Sequence, residues 1–331
     1  MKHVTLSDIA KKTGYSVNTV SHALHNKPDI SEKTKEYIVQ AAKEMGYIAN
    51  ASASSLRSGK SKSAAIIIGD ISNPHFSIMI KEMESQLRKH GYTAIILNTD
   101  EDERLERIAI VSAISKGVDG IILCPVQKTT DNIAFMQQSG ISYVLLGRRF
   151  EKFDTNFVVC DDVNGGFAAA QHLIELCHKK LLFIHAPLYI SSAYERLMGV
   201  KRAAEAYGIA DLRCCEVSLT ENDDAILQAL QAHADCTGII CFNDLMAMQV
   251  CHFLKTLGKR VPQDVSVIGF DNIVSKFFFP LMLSSVTSSK TKMSEIAVDI
   301  LMDCIGGGKS AAGQQILPTQ VIARESTARQ R

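Results

Sequence analysis

Three features of the sequence predict an α/β protein with a small all-α head and a larger core of doubly wound parallel sheets. The first 48 residues contain three short amphipathic helical segments around a glycine turn. A Ser-rich, basic stretch at 49–63 follows them. From residue 64 onward, apolar runs alternate with amphipathic segments at roughly 25-residue spacing, which is typical of parallel strands covered by helices on both faces.

The composition allows two sizeable hydrophobic cores and a small additional domain, since the chain has 331 residues and is 46% hydrophobic. The net charge of +1 is unevenly distributed. Residues 1–62 hold ten Lys and Arg against five Asp and Glu, whereas the remainder holds 26 against 30. A basic head on a mildly acidic body favours a head that contacts a polyanion, although an ordinary solvated surface would give the same totals.

The nine cysteines follow no CxxC or paired spacing, and Cys124, Cys160 and Cys241 lie within apolar runs. This usage is typical of a reducing compartment. The N-terminus lacks an apolar signal segment, and no apolar run approaches the ~20 residues that span a bilayer. The sequence therefore predicts a cytoplasmic protein without membrane contact.

No motif for a catalytic or metal site is present, so we expect no enzyme, no cofactor and no metal. The segment "GGGKS" at 306–310 fails as a phosphate-binding loop, because Asp303 stands where that motif requires its first glycine. The sequence shows neither a G-x-S-x-G elbow nor H-E-x-x-H nor zinc-ligand spacing.

The head begins with a T-x-x-D capping box formed by Thr5 and Asp8, and Gly14 supplies a turn after the first helix. Ser16 caps a second helix, and Ser31 starts a third that stops near Gly46. In the second helix we predict that Val17, Val20 and Leu24 point inward, and that Asn18, His22 and His25 share the outer face. Three short helices with a tight turn favour a helix-turn-helix, and a three-helix bundle with a solvated face is the alternative.

The outer face of the second helix has the chemistry of base recognition. Asn18 can bond adenine bidentately, and a nitrogen of His22 can donate to guanine N7 or O6. Thr19 and Ser21 suit phosphates or a thymine methyl group.

The head sequences "VTLSDIAKKTGYSVNTVSHAL" and "ISEKTKEYIVQAAKEMGYIANASASSLRSGKS" closely resemble the DNA-binding head of the lactose/galactose (LacI/GalR) repressor family. The resemblance implies binding to double-stranded operator DNA through Ser16, Val17, Asn18, Thr19, Ser21, His22, Asn50 and Leu56. Two departures concern this interface: His22 stands where the family usually has Arg, and Tyr15 where a small aliphatic is usual. A histidine side chain is shorter than arginine and ordinarily mostly neutral at pH 7, so we expect this contact to be weaker or differently targeted.

The stretch "ANASASSLRSGKSKS" has the composition of a disordered linker, with Leu56 as its one large apolar residue. The resemblance implies a hinge helix that forms on DNA and inserts Leu56 into the minor groove. A passive tether is the alternative. Ala49 replaces a common proline, which leaves the entry to the hinge less rigid.

In the core, polar residues follow the predicted strands. They are Asp70, Arg148, Asp161, Asn243, Asp244 and Asp271. Because ligands of open α/β sheets bind beyond the carboxyl ends of the strands, this set predicts a polar cleft between two lobes. For each single residue, a helix N-cap is the competing explanation.

The core also resembles the same family's effector-binding domain, which is related to periplasmic sugar-binding proteins. The matching segments are "ISNPHFSIM", "DDVNGG", "YERLMG", "FNDLMAM" and "VPQDVSVIGFDN". The segment "LLGRR" stands where an I-D-R motif is common in the family, with Gly147 in place of the Asp. The resemblance implies effector contacts at Phe76, Arg148, Asp161, Arg196, Asn243 and Asp271. It divides the core into one lobe at about 64–161 plus 291–316 and a second at about 162–290 plus 317–331.

These observations predict a ligand-responsive repressor of a carbohydrate-utilisation operon that binds DNA as a homodimer and is released by a sugar-like effector. The same set of residues could also hold a nucleobase or a sugar phosphate. A neutral sugar is favoured, because two arginines facing two aspartates offer too little positive charge for a phosphate. One alternative is a corepressor-type regulator, which binds DNA when activated by an effector or by a phosphocarrier protein. The other is a sugar-binding module without DNA binding.

Overall fold

A computed structural model of the protein describes residues 4–48, 59–273, 282–307 and 313–330. The chain divides into two compact units, Met1–Ser61 and Lys62–Arg331. The predicted DNA contacts Asn50 and Leu56 lie outside the described residues.

The head contains α1 (Leu6–Thr13), α2 (Val17–Leu24) and α3 (Glu32–Glu44). Thr5 and Asp8 form the predicted capping box, since the Thr5 amide donates to the Asp8 carboxylate at 2.9 Å and the Asp8 amide donates to the Thr5 hydroxyl at 3.3 Å. Gly14 ends α1 with φ +75°, a left-handed conformation that glycine adopts without strain. Ser16 and Ser31 cap the next two helices through their hydroxyls.

The core of the head is built around Ile9, Val20 and Ile38, which are fully buried, one from each helix. The prediction that Val17 points inward was wrong, because its side chain is 46% exposed. Val17 is the first residue of α2, and the helix packs through Val20 and Ala23 further along.

After the head and the linker, the chain forms three strand–helix units and then two further strands. They are β1 (Ser63–Ile68), α4 (Pro74–Lys89), β2 (Thr93–Asn98), α5 (Glu103–Ser115), β3 (Gly120–Leu123), α6 (Asp131–Ser139), β4 (Ser142–Leu146) and β5 (Phe157–Cys160). A similar series follows: α7 (Asp162–Glu175), β6 (Lys180–His185), α8 (Ser191–Ala206), β7 (Asp211–Glu216), α9 (Asp223–Ala232), β8 (Gly238–Cys241), α10 (Asp244–Thr256), β9 (Ser266–Phe270) and β10 (Ser284–Thr287). The described part of the chain ends with α11 (Lys290–Ile305), β11 (Gln314–Leu317) and β12 (Gln320–Ile322).

These strands form two six-stranded sheets, ordered β11-β5-β4-β3-β1-β2 and β12-β10-β9-β8-β6-β7. All pairings are parallel except that of β12 with β10. Helices bury both faces of each sheet, which explains why the central strands are continuously apolar. Each sheet forms one lobe. In each lobe the next strands along the chain lie on opposite sides of the first strand, β1 or β6, and ligands of such folds bind at the point where the strand order reverses.

The chain passes between the lobes three times among the described residues: from β5 to α7, from β10 to α11, and from β11 to β12. Short crossings of this kind let two lobes move against each other while the interior of each stays packed.

Candidate ligand cavity and polar head helix

A cavity of about 570 Å³ lies between the two lobes at the carboxyl ends of their strands. Five of the six predicted ligand contacts line it: Phe76, Arg148, Arg196, Asn243 and Asp271. Three of the five follow strands β4, β8 and β9, so parallel strand direction brings them to one edge of each sheet. Gly147 has φ +71°, and this left-handed turn directly precedes Arg148.

The sixth predicted contact, Asp161, lies outside the lining of this cavity. It occupies the first crossing between the lobes and caps α7, where its carboxylate accepts the Asn164 amide at 3.1 Å. Its backbone amide donates to Leu317 at 2.8 Å, and Thr319 donates to its carbonyl at 3.2 Å. The structure therefore gives Asp161 the N-cap role that was the competing explanation.

Arg196 is anchored on the second-lobe side of the cavity. Its Nε donates to Asp162 at 2.8 Å, and its Nη1 donates to the Phe242 carbonyl. Its guanidinium lies 4.7 Å from the ring centre of Phe242 and 4.2 Å from that of Phe270. Burial raises the pKa of Asp162 to about 6, although the charge of Arg196 acts in the opposite direction. These contacts fix the orientation of the guanidinium before any ligand binds.

Arg148 is anchored on the first-lobe side by Glu101. Its Nη1 donates to Glu101 Oε2 at 2.7 Å, and its Nη2 donates to Oε1 at 2.8 Å. Nη1 also donates to the Pro125 carbonyl at 2.8 Å. Sequence reasoning missed Glu101, whose carboxylate also lines the cavity.

Asp271 and His75 face each other inside the cavity. The His75 Nδ1 lies 3.5 Å from the Asp271 carboxylate without forming a hydrogen bond, and this nitrogen is buried. Burial lowers the pKa of His75 to about 4, so its ring is neutral at pH 7. Asp271 has φ +95°, and its backbone carbonyl accepts a hydrogen bond from Lys290.

Asn243 has two roles, because its side chain lines the cavity and also caps α10 by accepting the Met246 amide at 2.8 Å. The neighbouring Asp244 is fully buried and structural. It accepts the Ser285 hydroxyl at 2.7 Å and the Ile273 amide at 2.8 Å, which joins α10 to β10 and to the turn after β9. Burial raises the pKa of Asp244 to about 8.

Polar contacts also join the two lobes beside the cavity. Arg149 bonds Glu195 of α8, with Nε and Nη2 lying 3.1 and 2.9 Å from the same carboxylate oxygen. The Ser191 amide donates to the Gln127 side chain at 3.0 Å, and the Arg149 amide donates to the Ser191 hydroxyl at 3.1 Å. We call these four residues the inter-lobe clasp.

In the head, α2 presents the predicted polar surface. Asn18 is exposed, and the hydroxyls of Ser16 and Thr19 lie 2.8 Å apart at the start of the helix. The His22 Nδ1 lies 2.6 Å from the Asp29 carboxylate, a contact that sequence reasoning missed. Ser21 is buried on the inner side of the helix, unlike the other predicted contacts on α2.

Within the described ranges, no helix is both long and apolar enough to cross a membrane. The same part of the chain brings no group of three or more His, Cys, Asp or Glu side chains together in a way that would hold a metal ion.

Two family models match the chain. Residues 5–50 match "Bacterial regulatory proteins, lacI family", and residues 170–327 match "Periplasmic binding protein-like domain". The HTH-type transcriptional repressor PurR of Vibrio atlanticus (strain LGP32) is 30% identical over 308 residues, which cover 91% of this chain and 92% of the relative. These matches confirm the resemblance found in both halves of the sequence.

Solved structures confirm the predicted fold. The lac repressor dimer bound to operator and the anti-inducer ONPF has a TM-score of 0.87 at 22% identity, covering 99% of this chain and 100% of that chain. A lacI-family transcriptional regulator from Enterococcus faecium with bound ribose has a TM-score of 0.72 at 26% identity, covering 81% and 100%.

Proposed function

Because this chain belongs to the lacI family of bacterial regulatory proteins, we propose that it represses a carbohydrate-utilisation operon and leaves its operator when its core binds a neutral sugar. The observation that carries the proposal is the convergence of aromatic, amide, guanidinium and carboxylate groups from both lobes on one cavity of about 570 Å³. A cavity of this size suits a small ligand.

The lining of the cavity supports a sugar as the effector. Phe76 offers an apolar face to a sugar ring, Asp271 accepts hydroxyl bonds, and Asn243 and Arg196 donate to hydroxyl or ring oxygens. A regulator 26% identical to this chain has been solved with bound ribose. By position, Asp161 takes no direct part in this scheme.

On DNA, α2 enters the major groove, with exposed Asn18 placed to read a base edge and Ser16 and Thr19 near the phosphates. Asn50 and Leu56 extend the proposed contacts into the minor groove. A single small head buries too little surface for specific affinity, so the binding unit is a homodimer on a pseudo-palindromic operator. Helix α5 supports dimer formation because it exposes Leu105, Ile108 and Val111 at three-residue spacing.

The first experiment identifies the effector and the operator with the full chain. A thermal-shift screen of neutral sugars, including ribose, glucose, galactose and cellobiose, finds the ligand. Selection from random duplex DNA finds the operator, and fluorescence anisotropy at two salt concentrations measures its affinity. We expect a sequence-specific complex with a steep salt dependence that the identified sugar weakens.

The variant Asp271→Ala is expected to retain operator binding and to lose the response to sugar, whereas the exposed control Asp224→Ala keeps both. Asn18→Ala is expected to weaken operator binding far more than binding to unrelated duplex. Absence of DNA binding at low salt would refute the repressor proposal. Operator binding that appears only with an added phosphocarrier protein would favour the corepressor alternative.

A further inference from the structure

We propose that Glu101 is a specificity-determining residue that makes the cavity accept neutral sugars and reject their phosphate esters. The proposal rests on the proposed function of the cavity as the effector site. Arg148, the cavity's first-lobe arginine, is the group through which Glu101 acts.

The first argument is the geometry of the pair. Both Glu101 oxygens accept bonds from Arg148, at 2.7 and 2.8 Å, and the Pro125 carbonyl accepts a further N–H at 2.8 Å. Of the five N–H groups of a guanidinium, this leaves only two for a ligand. The side chains are 13% and 6% exposed for Glu101 and Arg148, so water screens the pair weakly. Arg148 can therefore still donate to a hydroxyl, but its charge is already compensated.

The second argument is that the backbone holds Glu101 in place. Asp100 and Glu101 both adopt left-handed φ values, +50° and +55°, which non-glycine residues seldom adopt. The carboxylate lies directly against the end of β1, since a Cβ on Gly69 would be 2.2 Å from Glu101 Oε1. The Glu101 amide donates to the Gly69 carbonyl at 3.3 Å. The carboxylate therefore occupies a defined space that a bulkier residue than Gly69 would fill.

The third argument is the charge of the whole cavity. Arg196, on the other lobe, is paired with buried Asp162 at 2.8 Å, so both arginines are compensated. The lining nevertheless holds four carboxylates, those of Asp70, Asp100, Glu101 and Asp271, against the two arginines. A phosphate ester would bring additional negative charge into a site that already has an excess of it. Neutral hydroxyls face no such repulsion.

The test is Glu101→Gln, which keeps the side-chain size and removes one negative charge. Isothermal titration measures binding of the best neutral sugar from the screen and of its phosphate ester, with ribose and ribose 5-phosphate as the first pair. For the wild type we expect the neutral sugar to bind at least about 100-fold more tightly than the ester. In Glu101→Gln we expect this ratio of sugar affinity to ester affinity to fall at least about 10-fold, because the positive charge of Arg148 is no longer compensated by Glu101.

Two further variants separate specificity from folding. Glu103→Gln is the matched control, because Glu103 bonds Thr129 and not Arg148, and it is expected to leave the ratio unchanged. Adding Arg148→Met to Glu101→Gln is expected to abolish the gained ester binding, which a general loosening of the cavity would not do.

Three results would overturn the proposal: a wild type that binds the ester as tightly as the sugar, an equal loss of both ligands in Glu101→Gln, or ester binding that survives Arg148→Met. If the wild type binds the neutral sugar and Glu101→Gln leaves the ratio of sugar affinity to ester affinity unchanged, this inference is refuted and the effector proposal stands. If no sugar binds to either form, the effector proposal fails and this inference fails with it.

Discussion

The close crossing of α7 and α8 gives a sharp prediction about stability. These helices carry Asp162 and Arg196, and their backbones meet at two glycines. A Cβ on Gly166 would lie 2.1 Å from the Arg196 carbonyl oxygen, and one on Gly199 would lie 2.0 Å from the Val163 carbonyl oxygen. Since ordinary contacts start at 3.4 Å, Gly166→Ala cannot fit without movement of backbone.

The magnitude follows from two opposing terms. Relieving the overlap at Gly166 requires the helices to separate by roughly 1 Å, and overpacking of this kind costs about 3 kcal/mol at the upper end of the usual range. Alanine in place of a helical glycine regains about 1 kcal/mol. We therefore expect Gly166→Ala to lower the free energy of unfolding by about 2 kcal/mol, and the melting temperature by about 4–8 °C.

Gly165→Ala is the matched control one residue earlier on the same helix. Its Cβ would meet a ring carbon of Phe270 at 3.2 Å and side-chain atoms of Thr319 and Val286 at 3.4 Å. Because these side chains can shift by tenths of an ångström and alanine favours the helix, we expect a change within about 1 kcal/mol. Urea and thermal unfolding followed by circular dichroism measure both variants. The reasoning is refuted if Gly166→Ala is as stable as the wild type, or if Gly165→Ala loses as much.

Three further predictions concern charged contacts. Replacing Arg149 and Glu195 of the inter-lobe clasp by Gln, singly and together, should weaken binding of the proposed sugar. A double-mutant cycle measured by titration should give a coupling energy of about 1–2 kcal/mol between the two residues, and strictly additive effects would exclude a clasp. Burial raises the pKa of Asp244 from its ordinary value of 3.8 to about 8 in the folded protein, so the folded state holds this proton more tightly than the unfolded state does. The resulting stabilisation of the fold is complete below about pH 4 and is lost as the pH rises to 8. Urea unfolding should show the wild type losing about 1.4 kcal/mol per pH unit relative to Asp244→Asn between pH 5 and 7, and parallel profiles would contradict this. Asp29→Ala removes a negative charge from the head and releases His22 from its contact with Asp29. Fluorescence anisotropy should therefore show tighter binding to unrelated duplex and a smaller preference for operator. An unchanged preference would mean that Asp29 does not orient His22.

The sequence predicted the strands that are continuously apolar. The apolar runs of the sequence correspond to eight of the strands, β1–β6, β8 and β9. It did not predict β7, β10, β11 and β12, because their residues are largely polar. Ser284 and Ser285 of β10 are fully buried, and their hydroxyls bond Thr327 and Asp244. Such a strand depends on hydrogen-bond partners distant in sequence, which no local pattern reveals.

The candidate site divides in the same way. Residues directly after apolar strands, such as Arg148 and Asp271, were found because strand direction alone places them. Glu101 was missed, since its role depends on Arg148, 47 residues away. Asp161 also follows an apolar strand, but β5 leads into a crossing between the lobes. There the Asp161 carboxylate caps α7 by accepting the Asn164 amide. The rule therefore places a residue at the correct sheet edge without deciding which partner it finds there.

The strength of the inter-lobe clasp bears on how a ligand could control the core. Allosteric coupling in such proteins is ordinarily about 1–3 kcal/mol, and by linkage a sugar that weakens DNA binding must itself bind more weakly to the DNA-bound form. The Arg149 and Glu195 side chains are 26% and 12% exposed, so their pairing is worth about 1–2 kcal/mol, well below that of a fully buried network. A clasp several times stronger would hold the lobes together whether or not the cavity was occupied. With a partly exposed clasp, the free-energy difference between lobe arrangements is small. The few hydrogen bonds that one small ligand adds across the cavity are then enough to shift the equilibrium between these arrangements.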